Sequence, residues 1–347
     1  MASSTAAPVA VAIRRLANGA SLTAEEAEAA FEAVMAGEAT SAQMAALLVG
    51  LRVKGETPAE VAGAARAMRA AMVDLAADAP GQLVDTCGTG GGTITTFNIS
   101  TAAALLAAGA GVRIAKHGNR SFTSKCGSAD VLEALGVGVD VTPAVMEETL
   151  QRAGIVFMFA PLMHPAMRHV GPVRRELAIP TLMNIVGPLA NPAHAGRQVV
   201  GVADEARLPL LAGALLELGT EHALVVHGKG MDEISPLEPS EGVEIVDGEL
   251  RPWSLDPADY GYADYPVDDL AGGGPAENAA LVEAVLAGKG NAASTAAVVL
   301  NAGAAIYVGG LEPTMRQAVE RARAALDDGA GLDALERLRA AMPRTGG

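Results

Sequence analysis

DTCGTGGGTITTFNIST, residues 85–101, reads as the end of a strand, a glycine loop and the start of a helix. Gly88, Gly90, Gly91 and Gly92 carry no Cβ, so their backbone amides can approach a phosphate closely. A helix starting near Asn98 would turn its free N–H groups and positive dipole end toward the same anion. Asn98 is also a residue type that simply caps helices. The loop is neither of two common phosphate motifs. No Gly-Lys-Ser/Thr follows it, and Thr93 stands where the third glycine of GxGxxG would be. A second stretch, KHGNRSFTSKCGSAD (residues 116–130), follows another strand-like run. It supplies Lys116, His117, Asn119, Arg120, Ser121, Thr123, Ser124, Lys125 and Ser128 as donors. Two donor-rich loops suit a ligand with several phosphate groups.

The flanking sequence alternates strand and helix from Gln82 onward. The expected strands are Leu83–Thr86, Val112–Ala115, Ile155–Phe159, Gln198–Val202 and Ala223–His227. With helical stretches between them they predict a mainly parallel sheet covered by helices. Asp247-Gly248 predicts a hairpin between residues 243–246 and 249–253. Helices are expected over 277–287, 292–307, 314–326 and 333–341. Upstream everything reads as helix. Thr23 with Glu26 is a capping box, a further helix spans 42–54, and Thr57-Pro58 with Glu60 opens another. Met44, Leu47, Leu48 and Leu51 fall at helical spacing and are expected to form a packing face, a stripe that would lie exposed unless the unit packs on something. The expected fold class is therefore α/β: a small all-helical domain over residues 1–76 and a larger α/β domain over 77–347.

The chain has 347 residues, half of them apolar and only 3% aromatic, so its core rests on aliphatic side chains. A net charge of −15 argues against a nucleic-acid partner or an anionic membrane surface. Leu177–Gly196 is interrupted by Pro180, Pro188 and Pro192, and Gly290–Leu311 holds Asn291, Ser294, Thr295 and Asn301. Both are expected to be buried in protein, not lipid. Arg14 and Arg15 follow the short N-terminal apolar run where a signal peptide would have them precede it. Cys87 and Cys126 give no disulfide framework and fit a reducing cytoplasm, with both read as packing residues. Asp232 and Glu233, adjacent carboxylates on a glycine-bearing loop after an apolar run, are candidate ligands for Mg²⁺ completed by substrate phosphates and water.

These segments, with HPAMRHVGPVRREL (164–177), TLMNIVGPLANPA (181–193) and VVHGKGMDEISP (225–236), resemble the anthranilate phosphoribosyltransferase family over nearly the whole chain. The resemblance implies a nucleoside phosphorylase/phosphoribosyltransferase-like fold in which residues about 170–190 rejoin the helical domain. It also implies a homodimer formed through that domain. The implied reaction joins the amine of anthranilate to C1 of 5-phosphoribosyl 1-pyrophosphate, releasing pyrophosphate. For the phosphoribosyl donor the implied residues are Gly88, Gly91, Gly92, Thr96, Asn98, Ser100, Thr101, Lys116, Ser124 and Ser128. Lys116 and the loop after it are expected on the 5′-phosphate and ribose side.

For anthranilate the implied residues are Gly88, Asn119, His117, His164 and Arg174, whose guanidinium suits a carboxylate. Arg168 is an alternative to Arg174, and Arg175 is expected to face solvent. Ser100 joins Asp232 and Glu233 around the metal, and no general base is assigned. One departure stands out: the family commonly reads GTGGD in the first loop, and Gly92 replaces that aspartate. A pyrimidine nucleoside phosphorylase-like enzyme is the nearest alternative, but it should carry a lysine in the first loop, and none occurs between Lys54 and Lys116. A non-catalytic nucleic-acid-binding relative would need a basic face.

Overall fold

The computed structural model describes residues 7–121, 125–262 and 264–343. The helices are, in chain order, α1 (Ala7–Ala17), α2 (Ala24–Met35), α3 (Ser41–Lys54), α4 (Pro58–Ala70), α5 (Ile99–Gly109), α6 (Ser128–Ala134) and α7 (Pro143–Ala153). After them come α8 (Ala160–Met163), α9 (Met167–Leu177), α10 (Leu208–Glu217), α11 (Pro275–Leu286), α12 (Ala292–Val308), α13 (Met315–Asp327) and α14 (Ala330–Ala341). The strands are β1 (Val84–Gly88), β2 (Ile114–Gly118), β3 (Ile155–Phe159), β4 (Arg197–Gly201), β5 (His222–His227), β6 (Ser240–Val246) and β7 (Glu249–Leu255). The chain divides into two compact units. The first comprises the chain up to Asp74 with Pro161–Pro192 and Pro209–Gly219; the second comprises the remainder. The return to the helical unit is thus longer than residues 170–190, and α10 belongs to it as well.

The helical unit is punctuated by threonine caps. Thr23 with Glu26, Thr40 with Gln43 and Thr57 with Glu60 each form a reciprocal capping box. Glu60 does more than cap. Its fully buried carboxylate accepts from Leu22 N at 2.9 Å, Thr57 N at 2.8 Å and Lys54 Nζ at 2.9 Å, so one side chain ties three segments together. α2 and α4 pack with no side chain between them at Gly63, where a Cβ would overlap Ala24 O and come within 2.8 Å of Ala27 Cβ. The apolar stripe on α3 is the packing face its spacing predicts. Met44, Leu47, Leu48 and Leu51 are at most 3% exposed, because α3 packs on α1 and on α9, which the sequence places far downstream.

The second unit carries a seven-stranded sheet in the order β3-β2-β1-β4-β5-β6-β7. β1 to β5 pair in parallel, and β6 and β7 close one edge as an antiparallel hairpin. Asp247 and Gly248 both take positive φ (54° and 74°), as a two-residue hairpin turn matched to strand twist requires. α5 and α12 pack against each other, and nearly all their residues are buried; residues 290–311 therefore find their apolar surroundings inside the protein. Among the described residues no helix is long and apolar enough to cross a membrane. Two of the parallel strands run past their expected ends. β1 continues to Gly88, and β2 continues through Lys116 and His117, both buried.

The strand order places the site. From β1 the chain builds outward through β2 and β3, then returns to β4 on the other side of β1. The C-terminal ends of β1 and β4 therefore lie side by side where the order reverses, the place where open α/β sheets bind ligands.

Candidate active site

β1 and β4 end in paired glycines, Gly88 opposite Gly201. The loop after β5 passes over this pair. A Cβ on Gly88 would overlap the Asp232 carboxylate, with Cγ at 2.9 Å, and one on Gly201 would overlap the Asp232 backbone. Two strand ends without side chains thus let an acidic segment lie directly across the sheet. Gly90 N donates to Asp232 Oδ2 at 2.8 Å, and Thr89 N donates to Gly201 O at 2.9 Å. The Gly90 amide is consequently occupied by protein, contrary to its expected use on phosphate. Among the described residues, nothing accepts from the Gly91 and Gly92 amides.

The N-terminus of α5 holds a protein carboxylate where phosphate was expected. Ser100 N donates to Glu233 Oε1 at 3.0 Å, and the helix dipole favours an anion there. Burial nevertheless pushes the Glu233 carboxyl up to about 8, the Asp232 charge adding to the rise, while Lys116 and Ser100 pull it down. Two adjoining carboxylates, one of them costly to ionise, suit a divalent cation. Mg²⁺ is usually held by one or two carboxylates, with phosphates and water completing the shell. Asp232, Glu233 and the Ser100 hydroxyl fit that pattern.

Lys116 belongs to this same group. Its 3% exposed ammonium donates to Thr86 O and lies 3.3 Å from Ser100 Oγ. β2 buries it beside Ser100 and Glu233, because the strand continues past Ala115. His117, 8% exposed, receives support from below, its backbone N donating to the buried Asp85 carboxylate at 3.1 Å. Thr101 is 1% exposed and faces the core side of α5. Thr96 is half-buried in the approach to that helix.

Asn98 occupies the N-cap position of α5 without making the capping bond. Its side chain joins the two donor loops. Nδ2 donates to Cys126 O at 3.3 Å, and Oδ1 accepts from Asn278 Nδ2 at 2.8 Å. Asn278, 2% exposed at the start of α11, also accepts from Gly273 N at 2.6 Å. In the second loop, Ser128 Oγ donates to Asn119 O at 3.2 Å. Arg120 is already spoken for, paired with Asp130 at 2.9 Å and Glu133 at 2.5 Å and stacked over Phe159. Ser124 and Thr123 lie outside the described residues. Burial raises both thiols, Cys87 well above its usual range and Cys126 to about 11, which suits packing roles.

The remaining candidates sit in the helical unit. Arg174, on α9, is half-buried, and burial lowers its pKa, while Arg168 and Arg175 are exposed. His164 is 3% exposed, and burial lowers its pKa to about 4, so the imidazole is neutral near pH 7.

Gly92 is more than a missing carboxylate. A Cβ there would lie 2.6 Å from Gly230 O, the oxygen that accepts from Thr93 N at 2.8 Å. The glycine loop and the acidic loop therefore meet backbone to backbone at Gly92. Sequence reasoning missed Gly201, Asn278 and Asn301. For Asn301 a signal existed, a single amide in the middle of an apolar helix; Gly201 had only its place after the run Gln198–Val200.

The family model for the glycosyl transferase family a/b domain matches residues 80–332, and that for its helical bundle domain matches residues 10–72. The anthranilate phosphoribosyltransferase of Roseiflexus sp. (strain RS-1) is 48% identical over 333 residues, covering 95% of this chain and 97% of the relative. That of Rubrobacter xylanophilus is 49% identical over 327 residues, covering 94% and 95%. The crystal structure of the Thermus thermophilus enzyme superposes with a TM-score of 0.90 at 43% identity, covering 95% of this chain and 99% of the other. The Saccharomyces cerevisiae enzyme in complex with PRPP and Mg gives 0.86 at 25% identity, covering 97% and 98%. With whole-chain identity near one half and both domains matched, the chain belongs to the anthranilate phosphoribosyltransferase family of glycosyl transferases.

Proposed function

We propose that the chain transfers the phosphoribosyl group of 5-phosphoribosyl 1-pyrophosphate to the amine of anthranilate, a step of tryptophan biosynthesis, using the strand-end constellation around Gly88, Ser100, Lys116, Asp232 and Glu233. Family membership carries the reaction. The observation that carries the residue assignment is the Asp232-Glu233 segment laid across the paired glycines at the switch point of the sheet. Mg²⁺, when bound, would offset the charge of the departing pyrophosphate.

The chain's own groups do the positioning. Asp232 and Glu233 hold the cation with the Ser100 hydroxyl, and Lys116 adds positive charge beside them. The Gly91 and Gly92 amides remain to meet phosphate oxygens, and preorganised donors aimed where charge develops usually give the largest catalytic contribution. Asn119 and Ser128 serve the ribose and acceptor side. Arg174 receives the anthranilate carboxylate through its guanidinium fork. Because departure of pyrophosphate leaves positive charge on the ribose ring, a weak amine nucleophile suffices, and no general base is assigned. The enzyme works as a homodimer in the cytoplasm. In the helical unit the described apolar side chains left exposed include Val11, Val53, Leu162 and Ile179, surface that a second copy would cover.

The test is loss of anthranilate fluorescence on mixing the purified chain with phosphoribosyl pyrophosphate across a Mg²⁺ titration. Loss that requires both the donor and the metal is expected. A folded sample silent at every Mg²⁺ concentration would overturn the reading.

A further inference from the structure

We propose that Asn301 is a positioning residue for the Asp232-Glu233 pair; this rests on the reading that those carboxylates hold the cation. Asn301 lies in the middle of α12, is 3% exposed and is flanked by Leu300 and Ala302. A buried amide is costly unless its hydrogen bonds are made. Here they are made in an informative way. Oδ1 accepts from Ile234 N at 2.9 Å, and Nδ2 donates to Ile234 O at 2.9 Å and to Ala297 O at 2.9 Å. One side chain thus satisfies both backbone groups of a residue that belongs to no strand, as a neighbouring β-strand would.

The residue clamped follows Glu233 directly. Upstream, the segment is fixed by the Gly228–Met231 turn, closed by Gly228 N to Met231 O at 3.2 Å and Met231 N to Gly228 O at 2.9 Å. The carboxylates hang between that turn and the Asn301 clamp. Adjacent like charges push apart, so the restraint at Ile234 determines where Glu233 can stand. Asn301 and Glu233 also line one small cavity, together with Thr86, Ser100 and Gly201. Partners that orient metal ligands are commonly worth 10–100-fold in metal affinity.

Mn²⁺ binding to the full chain in the presence of phosphoribosyl pyrophosphate, read from the paramagnetic resonance of free Mn²⁺, tests this. Asn301→Ser should bind Mn²⁺ about 10-fold more weakly than the unmodified chain, and it should add no further loss in a Glu233→Gln background. Equal affinity of Asn301→Ser and the unmodified chain, or an undiminished loss in the Glu233→Gln background, overturns the proposal. An unmodified chain that binds no more Mn²⁺ than the pyrophosphate compound alone would overturn the metal reading itself, a separate result. Should Asn301→Ser not fold, amide exchange of the unmodified, metal-free chain decides. Protection at Ile234 is expected, and exchange at the rate of exposed loops would overturn the clamp.

Discussion

Glu233 faces two demands that pull in opposite directions. The N-terminus of α5 favours its charge, while burial and Asp232 push its pKa up to about 8. A neutral amide in its place keeps the bond to Ser100 N but loses the charge. Glu233→Gln should therefore lower turnover about 10²-fold or more, with the shortfall not recovered at high Mg²⁺; steady-state rates across a metal titration check this. At Arg174 the expected effect is narrower. Lysine keeps the charge but not the bidentate fork, so Arg174→Lys should raise KM for anthranilate about 10-fold and leave KM for phosphoribosyl pyrophosphate in place. An equal rise in both would show that Arg174 does not recognise the acceptor. Gly92→Asp is a steric problem as much as an electrostatic one. With Gly230 O 2.6 Å from the new Cβ, the acidic loop must move, so the Mg²⁺ optimum should shift; an unchanged profile would refute the close-approach account.

Between the elements, the clearest expectation concerns α2 and α4. Gly→Ala inside a helix ordinarily stabilises by about 0.5–1 kcal/mol. At Gly63 the Cβ would overlap Ala24 O, a backbone atom that cannot swing aside. Gly63→Ala should then destabilise by about 1–3 kcal/mol, seen as a lower urea midpoint; a gain in stability would mean the helices part freely. The same contact shows what can be read from sequence. Strand and helix identities were legible because β-branched runs and threonine caps are local signals, as at Thr57-Pro58 or the Asp247-Gly248 turn. The donor loops were legible because glycine and polar clusters interrupt those runs. What depends on distant chain was not. The α3 stripe read as a packing face, but not what covers it, because α9, which helps do so, comes more than a hundred residues later. Lys116 read as loop because a charged residue ending a strand carries no mark of the buried partners awaiting it. Asn301 bonds to Ile234 and Asn278 to Asn98, partners remote in sequence, and nothing near either residue says which partner it meets.

For the molecule as a whole, His164 offers a pH-dependent term in stability that belongs to one unit. Its folded pKa of about 4 lies below the unfolded value near 6.5, because burial disfavours the charged ring. Between those values the unfolded chain binds the extra proton and the folded chain does not, so stability rises with pH across that window. The contribution is complete above about pH 6.5 and is lost as pH falls toward 4, amounting to about 3 kcal/mol. Since His164 belongs to the helical unit, that unit should lose its structure first on mild acidification, before the sheet unit. Amide exchange at pH 5 compared with pH 7.5 should show loss of protection concentrated in α1–α4 and α9, with β1–β5 little changed. His164→Gln, which cannot take up the proton, should flatten the dependence of the urea midpoint between pH 6.5 and 4.5. If the variant and the unmodified chain keep the same slope, the acid sensitivity lies with other groups, and the buried imidazole does not govern it.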